Sequence, residues 1–251
     1  MSQVPAPPIV ETPSPGLSIG ARVIAVFARP TQAWAGLETR PQWWFPMIVT
    51  TLVNAVFSFA LYERAVLPMM ASKWSESVES GQMTAEQMDK AMEMMHGPTG
   101  KIFSVLPQIV VWPLVLLLMA LVVWFGVGFV LGSRFRYRLA LEVAAWSSLV
   151  LIPGQIITGV IAWNKETLQG VHLGLAALLP EPEAPSKLMN AVTVVLDALG
   201  PFSIWWLVVG ILGAAALSGA PRKPVAWVLV GLYLAFAVFG AAATAMFGPG
   251  H

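Results

Sequence analysis

Met83, Met88, Met92, Met94, Met95 and His96 bring thioethers and an imidazole into one short polar stretch. Thioethers are soft donors that favour Cu(I), so a soft-metal site is one chemistry this stretch could support. Met88, Met92 and Met95 also recur at i, i+4, i+7, which is the spacing of an ordinary helix packing face. Spacing alone leaves both readings open.

Other reactive constellations are sparse. His96, His172 and His251 are scattered, and none has the His-Glu-x-x-His spacing of a metallohydrolase or anything comparable. His172 stands alone and reads as a solvent-facing or interfacial residue. Glu181 and Glu183 lie in a Pro-Glu-Pro-Glu-Ala-Pro run that reads as a solvated turn. There is no P-loop and no G-x-S-x-G, and the polar groups of an intramembrane protease are missing. With no cysteine, disulfides, Cys-ligated zinc and thiol catalysis are excluded. Neither enzymatic activity nor a cofactor is expected.

The composition points to the bilayer. Of 251 residues, 57% are hydrophobic and 11% charged, whereas soluble domains carry roughly 25% charged residues. The deficit is spread over most of the chain, which suits several spans better than one core. A net charge of +1 gives no reason to expect a nucleic-acid partner. The expected fold is all-α: a polytopic bundle of five transmembrane helices, preceded by an amphipathic interfacial helix.

Residues 1–16 are rich in proline, carry one charge and read as a disordered tail, without the basic start and apolar run of a signal peptide. Residues 17–40 form the interfacial segment. Its apolar residues are interleaved with Arg22 and Arg29, and Trp34, Trp43 and Trp44 are expected at headgroup depth. The alternative is a helix packed on the end of the bundle.

Residues 41–251 form the membrane domain, with spans at about 41–62, 108–133, 143–164, 198–221 and 225–247. Asn54, near the middle of the first span, is expected to face another helix. Residues 63–101 read as two short helices, the second opened by a capping box of Thr84 and Gln87 and ended by Gly97-Pro98. Pro107 and Pro113 predict a bend before the second span, and Gly128 and Gly132 form a small-xxx-small pair that would admit a neighbouring helix. In the third span Pro153-Gly154, followed by Gln155, predicts a kink at a helix contact or a polar cavity. Glu142 follows Arg138 by four residues and is expected to pair with it. A helical lead-in over 188–197 precedes the fourth span, and Ala237, Ala241 and Ala245 line a small-residue face in the fifth.

Orientation follows from the basic residues. Arg134, Arg136 and Arg138 in one short connection, and Arg222 with Lys223 in another, put those connections and the amino terminus in the cytoplasm and the carboxyl terminus outside. A bacterial inner membrane is the expected location.

Four stretches carry a family likeness: RVIAVFARPTQAWAGL, PQWWFPMIVTTLVNAVFSF, the MTAEQM helix, and FRYRLALEVAAWSSLVLIPGQI with its mid-span Ile152-Pro153. Together they resemble the Yip1 domain family, in particular its bacterial members, over most of the chain from Val23 onward. The resemblance implies five transmembrane helices and a cytoplasmic amino terminus. Eukaryotic relatives are associated with small GTPases of the Rab type and with vesicle traffic. The short proline-rich tail here has no evident GTPase-binding element, which speaks against that partner. For bacterial relatives the resemblance implies no defined activity.

Two functions are weighed. One is a scaffolding or membrane-organising protein whose partners are the lipid bilayer, further copies of itself or other membrane proteins. The other is a transporter or channel for a neutral or apolar solute, since the spans hold mainly neutral polar groups such as Asn54, Gln108 and Gln155 rather than an ionisable path.

Overall fold

In the computed structural model of the protein the described residues are 16–180 and 186–247, so the expectations for the tail before position 16, Glu181, Glu183 and His251 lie outside them. Among the described residues there are ten α-helices and no strand. Five rods are long and apolar enough to cross a membrane.

Helix α1 (Ile19–Ala28) opens at Ser18, whose hydroxyl accepts from the Ala21 N–H, and closes before Pro30. The first rod is longer than the apolar run. Helix α2 (Trp44–Leu61) passes through a π-helical turn, Tyr62–Val66, into α3 (Leu67–Glu79). The break expected after 62 is therefore absent. Glu63 and Arg64 end the hydrophobicity without ending the helix, and Pro68 comes directly after the π-helical turn, the kind of irregularity at which a continuous helix takes up a proline. At 1.5 Å per residue, the 36 residues Trp44–Glu79 reach about 54 Å against a hydrocarbon core of about 30 Å. The α3 end must therefore project beyond the bilayer.

Helix α4 (Ala85–Met95) has both capping-box bonds, Gln87 N–H to the Thr84 hydroxyl at 3.2 Å and Thr84 N–H to the Gln87 amide oxygen at 2.9 Å. The second rod is α5 (Pro98–Trp124) with a π-helical turn, Phe125–Val130. It continues as one helix through Pro107 and Pro113. Beside Pro107, Ser58 of α2 donates to the Ser104 carbonyl at 2.8 Å, so a neighbouring hydroxyl meets backbone near the proline.

The third rod consists of α6 (Tyr137–Ser148), a 3₁₀ turn over Leu149–Leu151, and α7 (Ile152–Lys165). It starts at Tyr137 rather than near 143, and its irregularity sits just ahead of Pro153, close to the expected kink. The hydroxyls of Ser147 and Ser148 turn back onto the carbonyls of Val143 and Ala145, each at 2.7 Å. Helix α8 (Lys187–Ala198) leads into α9 (Pro201–Ser218), and α10 (Arg222–Phe247) closes the bundle.

The third rod is the pillar of the fold. Half of its most apolar window is buried, against 17–28% in the other four. Helix α6 lies against α5, α9 and α2, while α10 packs along α8 and α9. On α2 the stripe Ile48, Leu52, Val56 and Phe59 is about half exposed or more and faces outward as a lipid-facing surface. The main core gathers around Trp34 and Trp146; a small second cluster of Leu61, Ala65 and Ala162 lies towards the opposite end.

Candidate functional site: a buried polar cap and a polar ladder within the bundle

The segment before the first rod is gathered around one charged side chain. Arg22, on α1, is 1% exposed. Its guanidinium donates to the Gln42 side-chain oxygen at 2.9 Å, to the Ala35 carbonyl at 2.9 Å and to the Ala33 carbonyl. Its charge also lies 5.6 Å from the Trp146 ring centroid, within cation–π range. Burial lowers the pKa of Arg22, and the nearby Glu142 charge offsets part of that; a guanidinium still keeps its proton in such a setting.

Gln42 links the two buried charges. Its side chain accepts from Arg22, and its backbone N–H donates to a Glu142 carboxylate oxygen at 2.8 Å. Glu142, on α6, is fully buried. Its other oxygen, like the indole N–H of Trp146 one turn on, has no partner at hydrogen-bond geometry. The expected Arg138–Glu142 pair is therefore corrected. The Arg138 guanidinium still attracts the Glu142 charge but makes no direct ion pair with it, donating instead to the carbonyls of Leu37 at 3.1 Å and Glu38 at 2.5 Å. Trp34, expected at headgroup depth, is 2% exposed and lies against Gly213 of α9, where an added β-carbon would come within 2.5 Å of its ring. Trp44 is 45% exposed. The entry segment thus packs on the bundle end through one face of α1, while Ile24 and Phe27 on its other face remain exposed.

Deeper in the bundle, Asn54 and Gln155 meet. The Gln155 amide donates to the Asn54 side-chain oxygen at 3.0 Å, and the Asn54 amide donates to the Thr50 carbonyl at 2.8 Å. The Thr50 hydroxyl donates to the Pro46 carbonyl at 2.8 Å and accepts from the Trp112 indole at 3.0 Å. This ladder joins α2, α5 and α7. Next to Gln155, Gly154 seats Phe202 of α9 at 2.8 Å from the place of a β-carbon, and Gly159 seats Phe57 of α2 at 2.2 Å. Pro153 stands in the first turn of α7.

Gly128 and Gly132 do not admit a helix within this chain. Gly132, at φ +63°, ends its helix with open space around it, and Gly128 faces Phe135 O and the Trp124 ring. The close approach in that rod is at Gly126, where Leu232 and Val228 of α10 stand 2.8 and 2.9 Å from a β-carbon position.

The basic residues singled out from the sequence gather at one end. Arg138 bonds the entry segment, and Thr31 shares a groove of about 230 Å³ with the turn from Ala215 to Arg222. Arg134, Arg136, Arg222 and Lys223 are exposed there. The methionine helix lies at the other end, where the Tyr62 hydroxyl donates to the Met95 carbonyl at 2.8 Å. Met88, Met92 and Met95 are partly buried on its packed side, while Met94 is 62% exposed. The His96 ring nitrogen Nδ1 lies 2.7 Å from the Met92 carbonyl. Among the described residues no group of three His, Cys, Asp or Glu could hold a metal. His172 is not solitary: Nδ1 lies 2.7 Å from the Asp197 carboxylate at the end of α8.

Sequence reasoning missed the Arg22–Gln42–Glu142 relay. One signal was available: Glu142 is an acidic residue inside the apolar run Leu139–Ala145, and a carboxylate there needs a donor. A family model described as Yip1 domain matches residues 24–244. No curated protein and no solved structure matches the chain.

Proposed function

The chain belongs to the Yip1 domain family, and on that premise we propose that it is a scaffolding or membrane-organising protein acting through helix–helix and lipid contacts. The observation that carries this is the two-sided entry helix. Arg22 beside the Trp146 ring and Gln42 on Glu142 join the entry segment to the bundle, and the other face of α1 presents Ile24 at 69% and Phe27 at 40% exposure. An apolar face held rigidly at the end of the spans is suited to lie in one leaflet at headgroup depth. The polar ladder supports the same reading, since its amides are engaged with one another and with backbone rather than lining an open path.

In this reading the end bearing α1 and the exposed arginines faces the cytoplasm of a bacterial inner membrane, following the bias of basic residues. Further copies of the chain or other membrane proteins are its partners, and no GTPase is required. The protein lacks cysteine, so single cysteines introduced as Arg136→Cys and Met92→Cys report orientation cleanly; labelling of both from one side would refute it. Function is tested by reconstitution. Solute-tight liposomes with self-association in nanodiscs are expected, whereas saturable flux lost in Asn54→Leu or Gln155→Leu would establish a transporter instead.

A further inference from the structure

We propose that the groove between the end of the second rod and the start of α6 is a binding site for the phosphate of an anionic phospholipid headgroup. The proposal rests on the scaffold reading and gives its lipid contact a chemical class. The groove is about 480 Å³ and is lined by Trp124, Gly128, Phe129, Ser133, Arg134 and Arg136, with Phe135 beneath.

The loop is built to hold two cations outward. Gly132 reverses the chain at φ +63°, and the Ser133 hydroxyl donates back to the Val127 carbonyl at 2.6 Å. Arg134 then stands at the apex of a tight turn closed by the Phe135 N–H onto the Ser133 carbonyl at 2.8 Å, and the backbone is extended at Arg136. Phe135 is 3% exposed and anchors the middle, while Arg134 and Arg136 on either side of it are exposed and both line the groove.

Their guanidinium groups are also unoccupied. Arg138, two residues on, spends its donors on the carbonyls of Leu37 and Glu38. Among the described residues neither the Arg134 nor the Arg136 side chain makes a hydrogen bond or ion pair. Helix α6 begins at the same place with no side-chain cap, so the positive end of its dipole adds to the field.

The apolar wall identifies the source of the phosphate. Phe129 is 69% exposed and Phe125 43%, and they stack with centroids 5.2 Å apart on the outward side of the rod. A lipid can place its phosphate between the arginines and its acyl chains along these rings and the exposed Leu118 and Leu121. A free phosphate would use only the arginines. Basic pockets at the ends of spans are the chemistry by which anionic headgroups are held.

The test is headgroup selectivity in nanodiscs, read by electron spin resonance from spin-labelled phosphatidylglycerol against spin-labelled phosphatidylcholine. Wild-type protein should prefer phosphatidylglycerol about five-fold or more, the scale of about 1 kcal/mol per basic residue at a membrane surface. Arg134→Gln with Arg136→Gln should bring the preference close to one. Arg222→Gln with Lys223→Gln removes the same charge from the same end and should leave it. Retention of selectivity in the first double variant, or equal loss in both, would overturn the site. Abolition of the preference by millimolar inorganic phosphate would assign it to a soluble anion and overturn the lipid. Self-association and flux of the Arg134 and Arg136 double variant are measured in the same preparations, so failure of the site and failure of the scaffold reading are seen separately.

Discussion

At the end of the bundle that carries α1, Arg22 and Glu142 are both withdrawn from solvent and joined through Gln42. At the opposite end Arg64 pairs with Glu166 at 3.1 Å while their side chains stay 44% and 64% exposed. The first arrangement is all-or-none, because a buried charge that loses its partner has no water to turn to. The second is a loose tie, since an exposed pair exchanges one solvated partner for another. The main core lies at the first end and a small cluster at the second. Stability is therefore concentrated where the chain enters, and the projecting part of α3 with α4 is held lightly.

Removing one buried charge should have the largest effect. Arg22→Met is expected to cost about 3–5 kcal/mol, read as lower thermal stability in detergent and as new protease cleavage between 17 and 40. Adding Glu142→Leu should recover part of the loss, and strict additivity in the double-mutant cycle would show that the two charges act independently.

Next in size is the seat of Trp34. Gly213→Val should cost about 1–3 kcal/mol by overpacking, because its β-carbon would meet the indole, whereas Gly210→Val on the same helix meets nothing within 4 Å. Equal effects on melting temperature would remove the distinction.

The ladder is worth less. Asn54→Leu or Gln155→Leu should each cost about 0.6 kcal/mol, and at most about 1.7, the measured range for hydrogen bonds between membrane helices. The smallest change is expected from Glu166→Gln, at roughly 0–1 kcal/mol and falling with added salt. A destabilisation there as large as that of Arg22→Met would mean that the two ends are not different after all.

The sequence made the rods legible because an apolar stretch of span length has few other uses, and short basic connections mark its ends. Asn54 and Gln155 stood out for the same reason, as amides in hydrocarbon need partners. The partner itself was invisible, since 101 positions separate them. The Arg22–Gln42–Glu142 relay was hidden likewise: its Gln42–Glu142 bond spans 100 positions, and the acceptor's donor is a backbone N–H that leaves no trace in residue type. Local spacing also misled. Arg138 four residues before Glu142 satisfied the helical rule, but tertiary carbonyls took the guanidinium. Glu63 and Arg64 looked like an end because hydropathy reports depth in the membrane, whereas helix continuation depends on backbone propensity.

The relay also sets an order of assembly. Arg22 leaves the ribosome roughly 120 residues before Glu142, which at about 5–20 residues per second is a wait of about 6–24 s. During that time two rods can insert and Arg22 can already reach the carbonyls of Ala33 and Ala35, yet the Glu142 carboxylate that accepts from Gln42 and the Trp146 ring beside the guanidinium are still to come. The amino-terminal helix must therefore idle at the membrane surface until the central pillar is threaded, and its docking is a late event in the birth of the protein.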